Sequence, residues 1–236
     1  MRWVRALLRA AWRLAVVGLL AWGGWWLMAA PGTPLPDAWN PLRPLSLADP
    51  ATPLTRLKLG RALASPEACR VALATGAAFA PMDPFEGPGA CGIPQRVRLS
   101  AVGGAALPPV ETACPTALRL ALWERHVLRD AARDAFGAPA AGLRHQGSYN
   151  CRAVRGGTRP SSHSTAAAID IRAVALADGR EVPLLGNWAG EGPEARFWRA
   201  ARDGACDWFV TVLGPEFDAG HADHLHLQAT GWGTCR

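Results

Sequence analysis

Apolar and polar positions alternate strictly in two short stretches, Ile169-Asp170-Ile171-Arg172 and His224-Leu225-His226-Leu227. A period of two marks a β-strand, because successive side chains point to opposite faces. Ala168, Asp170 and Arg172 then share one face, and Ile169 and Ile171 the other. His224 and His226 likewise point together, away from Leu225. Residues 96–99 and a stretch near 143–149 also read as strands. So do 167–175, turned by Asp178-Gly179 into 181–184, since an Asp-Gly pair between apolar runs is a strong hairpin signal. Residues 208–213 and 224–228 complete the strands.

Helical patterns are fewer. Residues 54–63 predict a short helix and 193–203 a second. A longer one runs from a Thr112 cap, with Pro115 in its first turn, to Phe136. Its inward stripe is Leu118, Leu122, Trp123 and Val127. Between 65 and 109 the chain reads as short strands and turns punctuated by Gly and Pro. Helices segregated from antiparallel-looking strands indicate an α+β fold: a small antiparallel sheet flanked by helices.

The first thirty residues follow another pattern. Arg2, Arg5, Arg9 and Arg13 precede a run, 14–30, that has no charged residue and contains Trp22, Trp25 and Trp26. Such a run lies at the lower bound for crossing a bilayer, about 17–25 residues. Basic residues before it predict a cytoplasmic N-terminus and a translocated remainder. A single-pass anchor in the inner membrane, with the C-terminal domain in the periplasm, is the expectation. A cleaved signal is the alternative, although Pro31 directly after Ala29-Ala30 is a poor cleavage context. Residues 31–55 are proline-rich and read as a linker, leaving 56–236 as the domain.

Most of the formal +6 charge lies in those four arginines, since residues 1–30 hold no acid. The basic pI therefore reflects topology, and no nucleic-acid surface is indicated. All six cysteines lie beyond residue 30. An even number in a translocated domain predicts three disulfides, with Cys206–Cys235 the preferred pair because both flank the last strand. No C-x-x-C spacing is present, which disfavours cysteine metal binding and redox catalysis.

Four of the six histidines fall at 163, 221, 224 and 226. A catalytic zinc site commonly uses three protein ligands and leaves one position open. His163, Asp170 and His226 offer such a set, with His221 and His224 close by. His126 and His145 read as ordinary core or surface residues. The helical H-E-x-x-H signature is absent.

The spacing Ser161-x-His163-x-x-Ala166-x-Ala168-x-Asp170, followed by the terminal His224-x-His226, resembles the zinc peptidases related to lysostaphin, the D-Ala-D-Ala peptidases and the hedgehog domain. Within that group three further features are similar to the bacterial extensin-like C-terminal domain family. They are Tyr149-Asn150-Cys151-Arg152, the run from Phe209 to Gly214, and His221-x-Asp223-His224-x-His226. The resemblance covers roughly residues 56–236. It implies Zn²⁺ held by His163, Asp170 and His226, with Asp223 at the position of a general base. It also places His221 and His224 at active-site histidine positions, and Arg152 where an arginine steadies the oxyanion. Tyr149 could donate a hydrogen bond in the same cleft or serve as a half-buried strand aromatic beside a disulfide. Two positions depart from the pattern: Ala166 stands at the motif glycine and Asp223 at a glutamate. The implied function is a zinc-dependent peptidase or amidase acting on peptidoglycan cross-links or stem peptides. The alternatives are a non-catalytic wall-binding module that retains the zinc, and a zinc that only staples strands.

Overall fold

The computed structural model describes residues 2–231 and 233–236. Its helices are α1 (Arg2–Ala29), α2 (Thr55–Ala62), α3 (Pro66–Leu73), α4 (Cys114–Trp123), α5 (Arg129–Phe136) and α6 (Pro193–Ala205). Its strands are β1 (Ala77–Pro81), β2 (Phe85–Glu86), β3 (Gly92–Ile93), β4 (Arg96–Val102) and β5 (Ala105–Ala113), then β6 (Ala140–Gly147), β7 (Ala168–Leu176), β8 (Glu181–Pro183), β9 (Thr211–Leu213) and β10 (Leu225–Gln228). The fold is α+β, as expected.

The sheet is larger than expected and not purely antiparallel. Eight strands run in the order β1-β4-β5-β6-β7-β10-β9, with β8 also paired to β7. β5 and β6 are parallel, because α4 and α5 form the crossover between them. A parallel pair requires such a connection, whereas a hairpin cannot supply it. β7 is long enough to take two partners in succession: β10 along Ala168–Ile171 and β8 along Ala173–Ala175.

The aliphatic face of the sheet packs under α4 and α6. Val97, Leu99, Leu143, Ile169, Ile171, Leu225 and Leu227 are fully buried there, beside Leu118, Leu122, Trp123 and Trp198. Each such side chain contributes roughly 1.5–3 kcal/mol on burial. Trp123 donates its indole N–H to the Ala201 carbonyl at 2.9 Å, which fixes α4 against α6. Burying one face in this way forces Asp170 and His226 onto the other.

Local chemistry explains where the helices differ from the sequence pattern. Thr112 does not cap α4. Its hydroxyl lies 2.7 Å from Ser148 Oγ, and the helix begins at Cys114 with Pro115 in its first turn. The long helix is broken by a π-helical turn, Glu124–Leu128. α3 lies inside the stretch read as strands and turns. Ser65 caps it by accepting the Ala68 N–H at 3.1 Å, and Pro66 follows, a start signal present in the sequence.

α1 forms as a helix with none of its side chains buried. The expectation of a membrane-crossing helix is not met: no helix among the described residues is long and apolar enough to cross a membrane. Arg13 stands within the helix, and Gly18, Gly23, Gly24 and the three tryptophans dilute the apolar run. The proline-rich stretch after it is tied down. Asn40, Leu45 and Leu47 are buried, and Leu47 N–H donates to Thr75 Oγ1 at 2.8 Å.

Three disulfides form, including Cys206–Cys235 as preferred. Cys69–Cys114 joins α3 to α4, and Cys91–Cys151 joins the β2–β3 hairpin to the loop after β6. Cys206–Cys235 brings the end of the chain alongside β9. Loops of these lengths are each stabilised by about 4 kcal/mol in the chain-entropy picture.

Candidate metal centre

β7 and β10 are direct neighbours, and their register sets Asp170 opposite His226. His163 comes from elsewhere, a single 3₁₀ turn at Ser162–Thr165. Ser161 caps that turn by accepting the His163 N–H at 3.3 Å. Ala166 ends it at φ 49°, ψ 28°, in the left-handed region. The motif position therefore keeps the backbone that suits glycine, although alanine occupies it. The Ala166 carbonyl accepts from Thr116 Oγ1 at 2.9 Å, and its N–H returns to the His163 carbonyl at 3.1 Å. Together these bonds lock the turn under β7.

Ala166→Gly should change stability by less than about 1 kcal/mol. Relief of the left-handed strain, roughly 1–2 kcal/mol, opposes the loss of a buried methyl, about 0.8, and glycine's added chain freedom, about 0.5–1. Ala166→Val should instead cost at least about 2 kcal/mol, since a β-branched residue tolerates neither the φ nor the close packing. Urea denaturation of both variants checks this; a Val variant as stable as the parent would contradict the assigned backbone.

Three donor groups meet at one point. His163 Nε2 lies 3.1 Å from His226 Nδ1. Asp170 Oδ1 is 2.9 Å from His226 Nδ1, and its Oδ2 is 3.2 Å from His163 Nε2. The far side of each ring is already committed. His163 donates Nδ1–H to the Ser148 carbonyl at 2.9 Å, and His226 donates Nε2–H to Gln228 Oε1 at 3.1 Å. That assignment turns two lone pairs and a carboxylate toward each other, an arrangement that needs a positive charge between them. A proton on His163 or a metal ion supplies it. Ligands about 2.0–2.1 Å from a tetrahedral zinc stand about 3.3 Å apart, close to the observed spacings. The largely buried His163–Asp170–His226 group could hold a metal ion.

The electrostatics agree. Burial alone would raise the Asp170 carboxyl, yet hydrogen bonds from His163 and His226 outweigh it and hold the group well below the usual range. Burial would lower His163, but the hydrogen bond and charge of Asp170 raise it overall.

The other expected residues surround this group. His224 Nε2 lies 3.7 Å from Asp170 Oδ1, and its Nδ1–H is donated to Asp223 Oδ1 at 2.8 Å. Asp223 does not itself approach the three donors. It is half exposed and accepts a further bond from Gln146 Nε2 at 2.8 Å, and the hydrogen bond from His224 lowers its carboxyl. His221 donates Nδ1–H to Asp218 Oδ1 at 2.7 Å, and its ring centre is 5.2 Å from that of His224. Burial lowers His221 despite Asp218, so it stays neutral. Arg152 lines the same cleft, and its charge is felt at His163.

Tyr149 is not part of the cleft. Its ring packs edge-on to Phe85, 5.4 Å between centres, beside Ile93, Ala113 and Ala166. His126 stacks on Trp208, and His145 bonds the Pro108 carbonyl, so both fill ordinary structural roles.

Gln146, Asp218 and Gln228 were not legible as site residues. Gln228 alone had a signal, since it follows His226 by two on the same strand face. All these groups line one cleft of about 1050 Å³, reaching from the loop after β6 to the turn before β10.

Fold and site together define a disulfide-stapled α+β domain with a His–Asp–His group at the base of a polar cleft. The chain belongs to the family described as extensin-like protein C-terminus, which matches residues 67–236. No curated protein and no solved structure matches it.

Proposed function

We propose that this chain is a zinc-dependent peptidase or amidase acting on peptidoglycan peptides. The observation that carries the reading is the convergence of His163 Nε2, His226 Nδ1 and Asp170 at the floor of an open cleft, with His224 Nε2 beside them. A purely structural site is closed by its ligands, whereas this one has imidazoles and solvent-accessible space next to it. Zinc held there supplies Lewis acidity and a water nucleophile at neutral pH.

The chain's own groups divide the remaining work. His224, with Nδ1–H fixed on Asp223, presents a free Nε2 that accepts a proton and returns it to the leaving amine. Asp223 stabilises the imidazolium formed in between, and Gln146 holds Asp223 in place. The base position thus works through one histidine, which makes the shorter aspartate sufficient. Neutral His221 and Arg152 border the cleft where negative charge develops on the substrate.

The same reading puts the domain outside the cytoplasm, at the inner membrane or in the periplasm. Three disulfides and the arginine-led N-terminal helix support it. The mass of the protein recovered from membranes tells an anchor from a cleaved signal.

The test is to incubate the zinc-loaded full chain with muropeptides. His224→Ala should retain zinc and lose about 10²–10⁴-fold in kcat. If the zinc-loaded parent yields no product and still sediments with sacculi, the wall-binding reading replaces this one.

A further inference from the structure

The cleft carries three arginines, Arg152, Arg155 and Arg159, all exposed on the loop after β6. None forms an ion pair among the described residues. The cleft's three carboxylates are Asp170, Asp218 and Asp223, and each is held by histidine instead. Arginines and aspartates balance in number, so a divalent cation leaves the cleft positive.

The loop is ordered at its base. Cys151 is stapled to Cys91, the Arg152 carbonyl accepts from Ser164 Oγ at 2.7 Å, and Val154 N–H donates to the Arg159 carbonyl at 2.9 Å. An isolated bridge pairs Ala153 with Pro160. The arm therefore projects Arg155 and Arg159 from a tight turn. Arg155 crosses toward the opposite wall: a Cβ placed on Gly220 would lie 3.4 Å from its Nη1. Gly220 immediately precedes His221. Asp218 Oδ1 stands 3.1 Å from the same point but is bonded to His221, so the Arg155 guanidinium, in no ion pair, lines the cleft open to an anion.

We infer that Arg155 and Arg159 bind a free carboxylate of the substrate, so that the site prefers peptides with an uncapped acidic group over neutral ones. Planar guanidinium forks match a carboxylate bidentately, which favours that group over a diffuse charge. The inference rests on the peptide-processing reading above, but it concerns recognition and can be measured without turnover.

The full chain, stripped of metal by chelator, is titrated with acetyl-dialanine and with the C-terminal amide of the same peptide. Binding is followed by NMR shifts of the loop. The carboxylate form should bind about tenfold tighter than the amide, the scale of a charge-assisted hydrogen bond. That preference should disappear in an Arg155→Gln/Arg159→Gln double variant. It should survive in Arg98→Gln, which changes net charge at an exposed position of β4 outside the cleft lining. Both loop side chains are exposed, so folding should be unaffected; near-ultraviolet circular dichroism checks it. Equal binding of the two peptides, no saturable shift with the carboxylate, or an equal loss in Arg98→Gln would each overturn the inference. A carboxylate preference in the stripped chain, together with no hydrolysis by the zinc-loaded chain, would instead sink the peptidase reading and leave the recognition role standing.

Discussion

His226→Ala will abolish stoichiometric zinc binding and, with it, hydrolysis. The substitution removes one of three donors and leaves the largely buried Asp170 carboxylate facing His163, with His224 Nε2 at 3.7 Å. Two ligands do not hold zinc against buffer and solvent in a site built for three. His163→Ala should behave alike. Gln228→Ala tests the supporting bond separately. It deletes the acceptor that turns His226 Nδ1 toward the cluster, and should weaken zinc binding about 10–100-fold, as loss of such orienting partners does. Metal content per chain, measured by atomic emission, distinguishes the variants. One zinc per chain in His226→Ala would mean that the donor set is wrong. Chelation of the parent adds a second reading: a metal that merely staples strands would lower the melting temperature strongly when removed, and a catalytic one much less.

Gly103→Ala should destabilise the domain by about 3–5 kcal/mol, the largest stability effect expected of any single methyl here. Gly103 sits at φ 55° in the turn between β4 and β5, where an L-residue is strained. A Cβ would also stand 1.8 Å from Glu124 Oε2 and 2.8 Å from Arg129 Nη2. Glu124 is fully buried, and Arg129 donates to its carboxylate at 3.0–3.2 Å. Displacing one partner of a buried pair costs about 3–5 kcal/mol. Chemical denaturation measures the change, and a loss under about 1 kcal/mol would show that the pair yields without penalty. Burial raises the Glu124 carboxyl in spite of Arg129. An acid raised on folding contributes stability below its ordinary value, 4.5, that is lost as pH climbs through the folded value. Glu124→Gln should remove that part of the pH dependence. The pair lies within and beside the π-helical turn, so that irregularity seats a buried carboxylate under the hairpin.

The strands that carry the site were legible because each has one buried face. Alternation in Ile169–Arg172 and His224–Leu227 assigns Asp170 and His226 to the open side without any knowledge of partners. α3 was missed although Ser65-Pro66 marks its start, because the Gly and Pro punctuation further along residues 65–109 favoured a reading as strands and turns. The parallel β5–β6 pair could not be read from periodicity, which reports the faces of a strand and not its direction. Thr112 carries the composition of a cap, yet buried Ser148 and Ala166 compete for its hydroxyl and win. Tertiary partners override a local preference worth about 1 kcal/mol.

By itself the sequence determined the donor types, the strand faces they occupy, and the even set of cysteines that joins distant segments. These follow from side-chain chemistry and from a backbone period of two, both local properties. Tertiary structure alone decided which nitrogen of each histidine is free, since that depends on the Ser148 carbonyl and Gln228. It also decided that Asp223 is hydrogen-bonded to His224 and not to the cluster, and that Arg155 reaches toward Gly220. Those outcomes depend on hydrogen-bond partners as far as 77 residues apart, as between Gln146 and Asp223, and only folding brings them within 3 Å.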